Sequence, residues 1–347
     1  MDLNVVLPLG SALLSFVFCL FLVDQWRERR RSFQAIWAIG MLWYGLSAGA
    51  QFVGGAFGWN DLLYRAWYLI GAIWVAAWLG LGTTYLLART RFGYAFAVSF
   101  FLAGLFTFLT DAKYHYPGSG PAPILYFLIA LVIAALIAVD TYRGAERWPS
   151  MAAVAIGGGT LISAIMTASA TLPAPGWVLD PTTQIPTGAL FPGYLRLLTP
   201  FFNVTGAFAL IFGAIYSAYV FMPKHRVIRY TLRRGQPPGE LARNLLVAPV
   251  AITVNFLVSL PGAVIGLLAG RLNSRVPATI LIALGGLVAS ITSGLDRFGN
   301  TSGFAVGQFL GVVFLFLGFL VSIEVFSEVR IPFTRVVLHV RHAQEPT

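Results

Sequence analysis

The chain has 347 residues, 58% of them hydrophobic and only 10% charged, with a mean hydropathy of +0.78. That leaves too little polar material to clothe a water-soluble globule, so most of the surface must face lipid. The net charge of +10 does not indicate nucleic acid, because the arginines fall in short loops beside apolar blocks and not along one helical face.

The apolar residues come in blocks near the ~20 residues that a helix needs to cross ~30 Å of hydrocarbon. They are apolar throughout, without the alternating polarity of barrel strands. The predicted fold class is all-α, a polytopic integral membrane helix bundle of nine to ten hydrophobic segments. Met1 to Asn4 lack a positive leader region, and basic residues follow the first block where a cleavage site would stand, so Val5 to Val23 is expected to stay as a span. The single cysteine, Cys19, lies inside it, which excludes a disulfide framework or thiolate cluster within one chain.

The following blocks are Ala35 to Phe57, Leu62 to Ala88, Tyr94 to Thr110, Ile124 to Thr141, Met151 to Leu172 and Thr199 to Phe221, which complete a seven-span bundle over residues 1–223. A basic cytoplasmic loop is expected at 224–244, C-terminal membrane segments at 245–327 and a basic tail at 328–347. The C-terminal blocks are Leu245 to Gly270, Val276 to Leu295 and Phe304 to Phe326.

Lysine and arginine flanking spans are retained on the cytoplasmic side. Arg27, Arg29, Arg30 and Arg31 follow the first block, Arg89 and Arg91 the third, Arg143 and Arg147 the fifth. Lys224, Arg226, Arg229, Arg233 and Arg234 follow the seventh, so alternate loops are basic and the N-terminus is expected outside. The two long outer loops are then Asp111 to Pro123 and the proline-rich Pro173 to Leu198. Ten full spans would put Arg271, Arg275 and the tail arginines Arg330, Arg335 and Arg341 outside. Pro249 and Pro261 interrupt the eighth block, and proline removes a backbone donor. The expectation is nine crossings, with 245–270 broken, re-entrant or interfacial; the alternative is a proline-kinked tenth span.

The four histidines, His115, His225, His339 and His342, lie outside the apolar blocks, as do the only lysines, Lys113 and Lys224. Neither a haem axial ligand nor a retinal Schiff base is available within the membrane, and no metal-ligand spacing or nucleotide-binding motif occurs; no cofactor is expected. Charged and strongly polar residues within a bilayer are costly and mark candidate sites. Those residues are Glu324, Asp140, Gln51, Asn203, Gln308 and Asn255; Asp140 and Glu324 have a plainer reading as interfacial carboxylates. Asn255, between the two prolines, has a structural reading as a partner for freed backbone groups. Trp59, Trp67 and Tyr68 cluster with Asp61 and Arg65 at the outer junction of the second and third blocks. They read as an interfacial aromatic belt or as a ligand cup with Arg65 as anion partner.

Small residues let membrane helices approach closely. Gly45 and Gly49, then Gly262, Gly266 and Gly270, then Gly303, Gly307 and Gly311 recur every fourth residue. They read as packing seams, within the chain or between copies in a homo-oligomer.

Trp37-Ala38-Ile39-Gly40, Tyr68-Leu69-Ile70-Gly71, Trp78 and Tyr85 resemble the second and third helices of the seven-span sensor module found at the N-terminus of some bacterial histidine kinases. The first seven blocks also match that module's outside N-terminus. The proline expected midway along its third helix is absent around Ala76 and Ala77, and no phosphoacceptor or ATP-binding domain follows, so kinase activity is not implied. The expected function is a non-enzymatic sensing or scaffolding module of the bacterial cytoplasmic membrane, with the 224–244 loop as a surface for a cytoplasmic partner. The alternatives are a small-substrate permease using 245–270, and an enzyme acting on a lipid-linked substrate.

Overall fold

The computed structural model describes residues 3–232, 236–269, 272–273, 275–297, 299–301 and 303–321, with two short antiparallel strands at Val329–Arg330 and Val337–Leu338. Among the described residues, ten helices are long and apolar enough to cross a membrane. They are Leu3–Arg29, Ser32–Phe57, Asp61–Leu86, Phe92–Tyr114, Ala122–Arg143, Trp148–Ser169, Gly193–Phe221, Pro238–Leu268, Arg275–Arg297 and Phe304–Val321. They are called the first to tenth helices below. Leucine, isoleucine and valine stand outward at helical spacing, as at Leu128, Val132 and Leu136 of the fifth helix and Leu161 and Ile165 of the sixth. Outward apolar rows of this kind are the lipid-facing surface of a membrane bundle.

Local chemistry sets several helix ends. Asn60 accepts from Leu63 N at 2.9 Å and caps the third helix, satisfying a donor that the first turn leaves unpaired. Gly144, at φ 69°, ends the fifth helix in the left-handed conformation that glycine adopts without a Cβ clash. Asp140 Oδ2 then accepts from the backbone N–H groups of Arg147 and Trp148 at 2.9 and 2.8 Å, opening the sixth helix.

Helix directions follow from which residues meet. Gly45 and Gly49 of the second helix pack on Phe16 and Ala12 of the first, and the third runs back with Gly71 on Ser47 and Leu79 on Gly40. The seventh runs parallel to the third: Tyr68 Oη lies 2.9 Å from Thr199 Oγ1, the backbones of Gly80 and Gly206 touch, and Gly213 meets Thr83. The ninth runs opposite to the seventh, with Val276 clustered with Ala218, Tyr219 and Met222, and Gly286 against Leu210. The tenth returns beside the ninth, with Gly307 on Thr292 and Gly318 on Ala278, and parallel to the first, with Phe18 5.2 and 4.9 Å from Phe316 and Phe319.

Phe221 and Arg275 therefore lie at the same end of the bundle, where the Arg275 guanidinium sits 4.7 Å from the Phe221 ring centroid. The chain leaves and re-enters the bundle there, so the eighth helix adds no net crossing. Its middle is fastened to the strand of chain that follows Phe221. Asn255 Oδ1 accepts from Val227 N and Ile228 N at 2.8 and 2.9 Å, Asn255 Nδ2 donates to Ile228 O at 2.8 Å, and Ser259 Oγ accepts from His225 N at 2.8 Å. The helix is continuous through Pro249 and Pro261, so the broken form read from the prolines is replaced by a single helix. The tenth helix, parallel to the first, ends at the end that carries Arg27 and Arg29. Nine helices then run from end to end, and the basic residues at 27–31, 89–91, 143–147, 224–229 and 275 share one end, here called the basic end.

The glycine seams resolve within the chain at Gly45, Gly49, Gly307 and Gly311, the last meeting Ala289 and the Gly285 carbonyl. A Cβ at Gly262 or Gly303 would meet nothing within 4 Å, and at Gly266 only Leu272. Gly270, Glu324, Arg271, Arg233, Arg234, Arg335, Arg341, His339 and His342 lie outside the described residues.

Candidate functional site

At the end of the bundle opposite the basic one, a chamber of about 290 Å³ opens between the first, second, third, seventh, ninth and tenth helices. Its wall on the third helix is not α-helical. Tyr68–Trp74 forms a π-helical stretch, in which Val75 N donates to Ile70 O, five residues back. Such wide turns are uncommon and concentrate at functional sites, because the extra residue redirects side chains. Gly71 accommodates the hydroxyl of Ser47, which a Cβ would meet at 2.2 Å, so a larger residue there would make the Ser47 side chain turn away.

Polar groups converge on this space. Gln51 and Ser47 come from the second helix, Tyr68 from the third, Arg196 and Thr199 from the seventh, Ser293 and Asp296 from the ninth, and Gln308 from the tenth. Tyr44 Oη donates to the Gln308 carbonyl at 2.7 Å, tying the second helix to the tenth. Arg196 places its guanidinium 4.2 Å from the Tyr116 ring centroid, which orients it by a cation–π contact. Two atoms stand out. Gln51 Nε2, on a side chain only 6% exposed, and Asp296 Oδ1 are buried without a hydrogen-bond partner. An orphaned buried polar group costs about 1–3 kcal/mol, so an unpartnered donor and an unpartnered acceptor on two residues that line one chamber call for a chemical account.

The outer loop over residues 173–192 closes over the chamber. Tyr64 Oη donates to the Thr187 carbonyl, and Phe191 stacks on Tyr64 and Tyr68 at 5.1 and 4.0 Å. Asn4 Nδ2 donates to Thr183 O at 2.9 Å, and the Thr183 and Thr301 hydroxyls lie 2.6 Å apart, joining the loop to the start of the first helix and to the turn before the tenth. The loop is itself organised by Asp180, whose carboxylate accepts from the hydroxyls and backbone N–H groups of Thr182 and Thr183. The Thr182 hydroxyl foremost, then the Thr183 N–H, holds the Asp180 carboxyl down at about 2.

Of the residues singled out in the sequence, Gln51, Gln308, Trp67 and Tyr68 meet at the chamber. The cup around Arg65 has a different construction. Arg65 Nε donates to both Asp61 carboxylate oxygens at 2.9 and 2.8 Å, and Nη1 donates to the Thr167 and Ala170 carbonyls at 2.6 and 2.7 Å. Those carbonyls end the sixth helix, so Arg65 clamps the sixth helix to the third. Trp59 packs edge-on against Tyr64 and Trp67 beside it. Asp140 caps a helix at the basic end and Asn255 ties the eighth helix there, both away from the chamber.

Arg196, Thr199, Ser293 and Asp296 are not found by reading spans. Arg196 falls in the segment read as the outer proline-rich loop, yet the seventh helix starts at Gly193. Asp296 falls one residue past the expected end of the ninth span, yet the helix runs on to Arg297. An ionisable residue at each outer helix end was the available signal. Among the described residues no group of three histidine, cysteine or acidic side chains is placed to hold a metal.

The fold is thus a multi-pass membrane helix bundle with a capped polar chamber at one end. Comparison of the chain with protein-family models, with curated proteins and with solved structures gave no match to any of the three.

Proposed function

We propose that this chain is a non-enzymatic sensing module of the bacterial cytoplasmic membrane, which binds a ligand in the outer chamber. The observation that carries the reading is that two residues lining one chamber beneath an ordered loop, Gln51 and Asp296, each hold a buried polar atom, Nε2 and Oδ1, without a hydrogen-bond partner. A ligand supplying an acceptor to the first and a donor to the second would remove both costs at once. The basic end is taken as cytoplasmic, and the exposed Lys224, Arg226 and Arg229 within 224–244 offer a cytoplasmic partner an electropositive surface. A permease built on 245–270 would need Asn255 to join Gln51 and Gln308, but its amide is committed to the 227–228 backbone at the other end.

The test is a thermal-shift screen of the detergent-purified protein against small polar and zwitterionic compounds. A stabilising compound whose effect is lost in Gln51→Leu and in Asp296→Asn, and kept in Arg65→Ala, supports the reading. Hits indifferent to both chamber substitutions overturn it.

A further inference from the structure

The polar chamber has an apolar extension. A groove of about 480 Å³ runs from it toward the middle of the bundle between the seventh and ninth helices, with Phe106 of the fourth helix along its edge. Chamber and groove share Tyr44, Gly71, Val75, Thr199, Ser293 and Gln308 as lining, so they adjoin along one wall. Beyond the residues shared with the chamber, the groove wall is mainly Leu, Ile, Val, Phe, Ala and Gly, with Asn203 and Ser290 as its polar side chains. Its rim residues Phe106, Leu287 and Ile291 are 41%, 42% and 52% exposed on the lipid-facing surface. A water-soluble ligand would need only the capped chamber; a lateral, oily channel leading into it fits a molecule that arrives through the bilayer.

The chamber's charges narrow the chemistry of the head. Asp296 offers an open carboxylate oxygen, which suits an ammonium able to donate several hydrogen bonds. Arg196 and the open Gln51 amide N–H suit an anion, for which a guanidinium is the usual partner when that anion is a phosphate. Resting on the reading of the chamber as a ligand site, we infer that the ligand is a zwitterionic amino-phospholipid, its ammonium on Asp296, its phosphate on Arg196 and Gln51, and an acyl chain in the groove between the seventh and ninth helices.

Native mass spectrometry of the delipidated protein in detergent separates the parts of this statement. The probes are phosphatidylethanolamine, phosphatidylglycerol with the same acyl chains, and free O-phosphoethanolamine. Phosphatidylethanolamine is expected to bind at least tenfold more tightly than phosphatidylglycerol, and Asp296→Asn is expected to abolish that preference. Ser290→Trp, which fills the groove, and the milder Ser290→Leu are expected to weaken phosphatidylethanolamine by about tenfold or more and about threefold. Equal binding of the two lipids overturns the head-group assignment. Free O-phosphoethanolamine binding as well as the lipid, with both Ser290 variants silent, overturns the amphiphile while leaving the chamber as a ligand site. Binding of every probe unaffected by Gln51→Leu and Asp296→Asn overturns the chamber itself.

Discussion

Asn255→Leu tests the fastening of the eighth helix. The Asn255 side chain is fully buried and makes three hydrogen bonds, all to backbone groups of Val227 and Ile228, at 2.8 to 2.9 Å. Leucine has similar bulk, so the packing against Phe256 and the end of the seventh helix is largely kept and the lost bonds dominate. Two N–H donors and one carbonyl lose their partner at about 1 kcal/mol each net, and more where water cannot reach them. Val227 is 61% exposed, so hydration relieves part of this, and the expected destabilisation is about 2–4 kcal/mol. Denaturant unfolding in detergent micelles measures it. A second readout uses Val227→Cys in a Cys19→Ala background, since Cys19 is the single native thiol. Labelling by a membrane-impermeant maleimide is expected to accelerate when Asn255 is replaced, and to occur from the same side as at an introduced Asn273→Cys. Stability within about 0.5 kcal/mol of the parent, or labelling of those two positions from opposite sides, would refute both the fastening and the count of nine crossings.

Arg65→Met is expected to cost about 3–5 kcal/mol of unfolding free energy, because two charge-assisted bonds to the Thr167 and Ala170 carbonyls vanish. Asp61→Asn should cost under about 1 kcal/mol, since that carboxylate side chain is 50% exposed; equal losses would contradict the clamp. Gly206→Ala puts a Cβ 2.1 Å from the Ala76 carbonyl oxygen, a backbone atom that cannot step aside, so the third and seventh helices must separate, at about 3 kcal/mol or more. Gly157→Ala meets nothing within 4 Å and should be neutral or slightly stabilising; the pair compared by thermal unfolding isolates the helix contact. The Asp180 carboxyl is depressed, so its ordering of the 180–184 turn is complete above the ordinary carboxylate value of 3.8 and lost as pH falls through about 2. Proteolysis of that loop, by an acid protease at acidic pH and by a neutral protease at pH 7, should therefore rise in the parent only below about pH 3 and already be raised at neutral pH in Asp180→Ala; an onset near pH 5 in the parent would contradict this.

The helical blocks were legible because length and apolar composition are one-dimensional properties. The end of the bundle at which the ninth helix begins was legible through charge, since Arg275 stands at its first turn beside Phe221, whatever Pro249 and Pro261 do to the eighth. Half the chamber was legible, since Gln51 and Gln308 are polar residues deep in apolar blocks, and Trp67 and Tyr68 stand out as an aromatic cluster. Its charged half was not. Depth along a helix can be read from sequence, whereas the direction a side chain faces is set by packing, and Arg65 and Arg196 look alike until the third, sixth and seventh helices are in contact. The π-helical stretch at Tyr68–Trp74 has no marker of its own in the sequence.

That wide turn also acts as an adjustable phase. An α-helix advances about 100° per residue, so deleting one residue between Tyr68 and Trp74 would tighten the turn to ordinary pitch and swing Asp61–Trp67 by roughly that angle. The lower half, gripped at Gly80 and Gly206, would stay where it is. The helix would survive the deletion intact while Arg65 let go of the sixth helix and Trp67 turned out of the chamber, so a single codon separates two azimuths of the same wall.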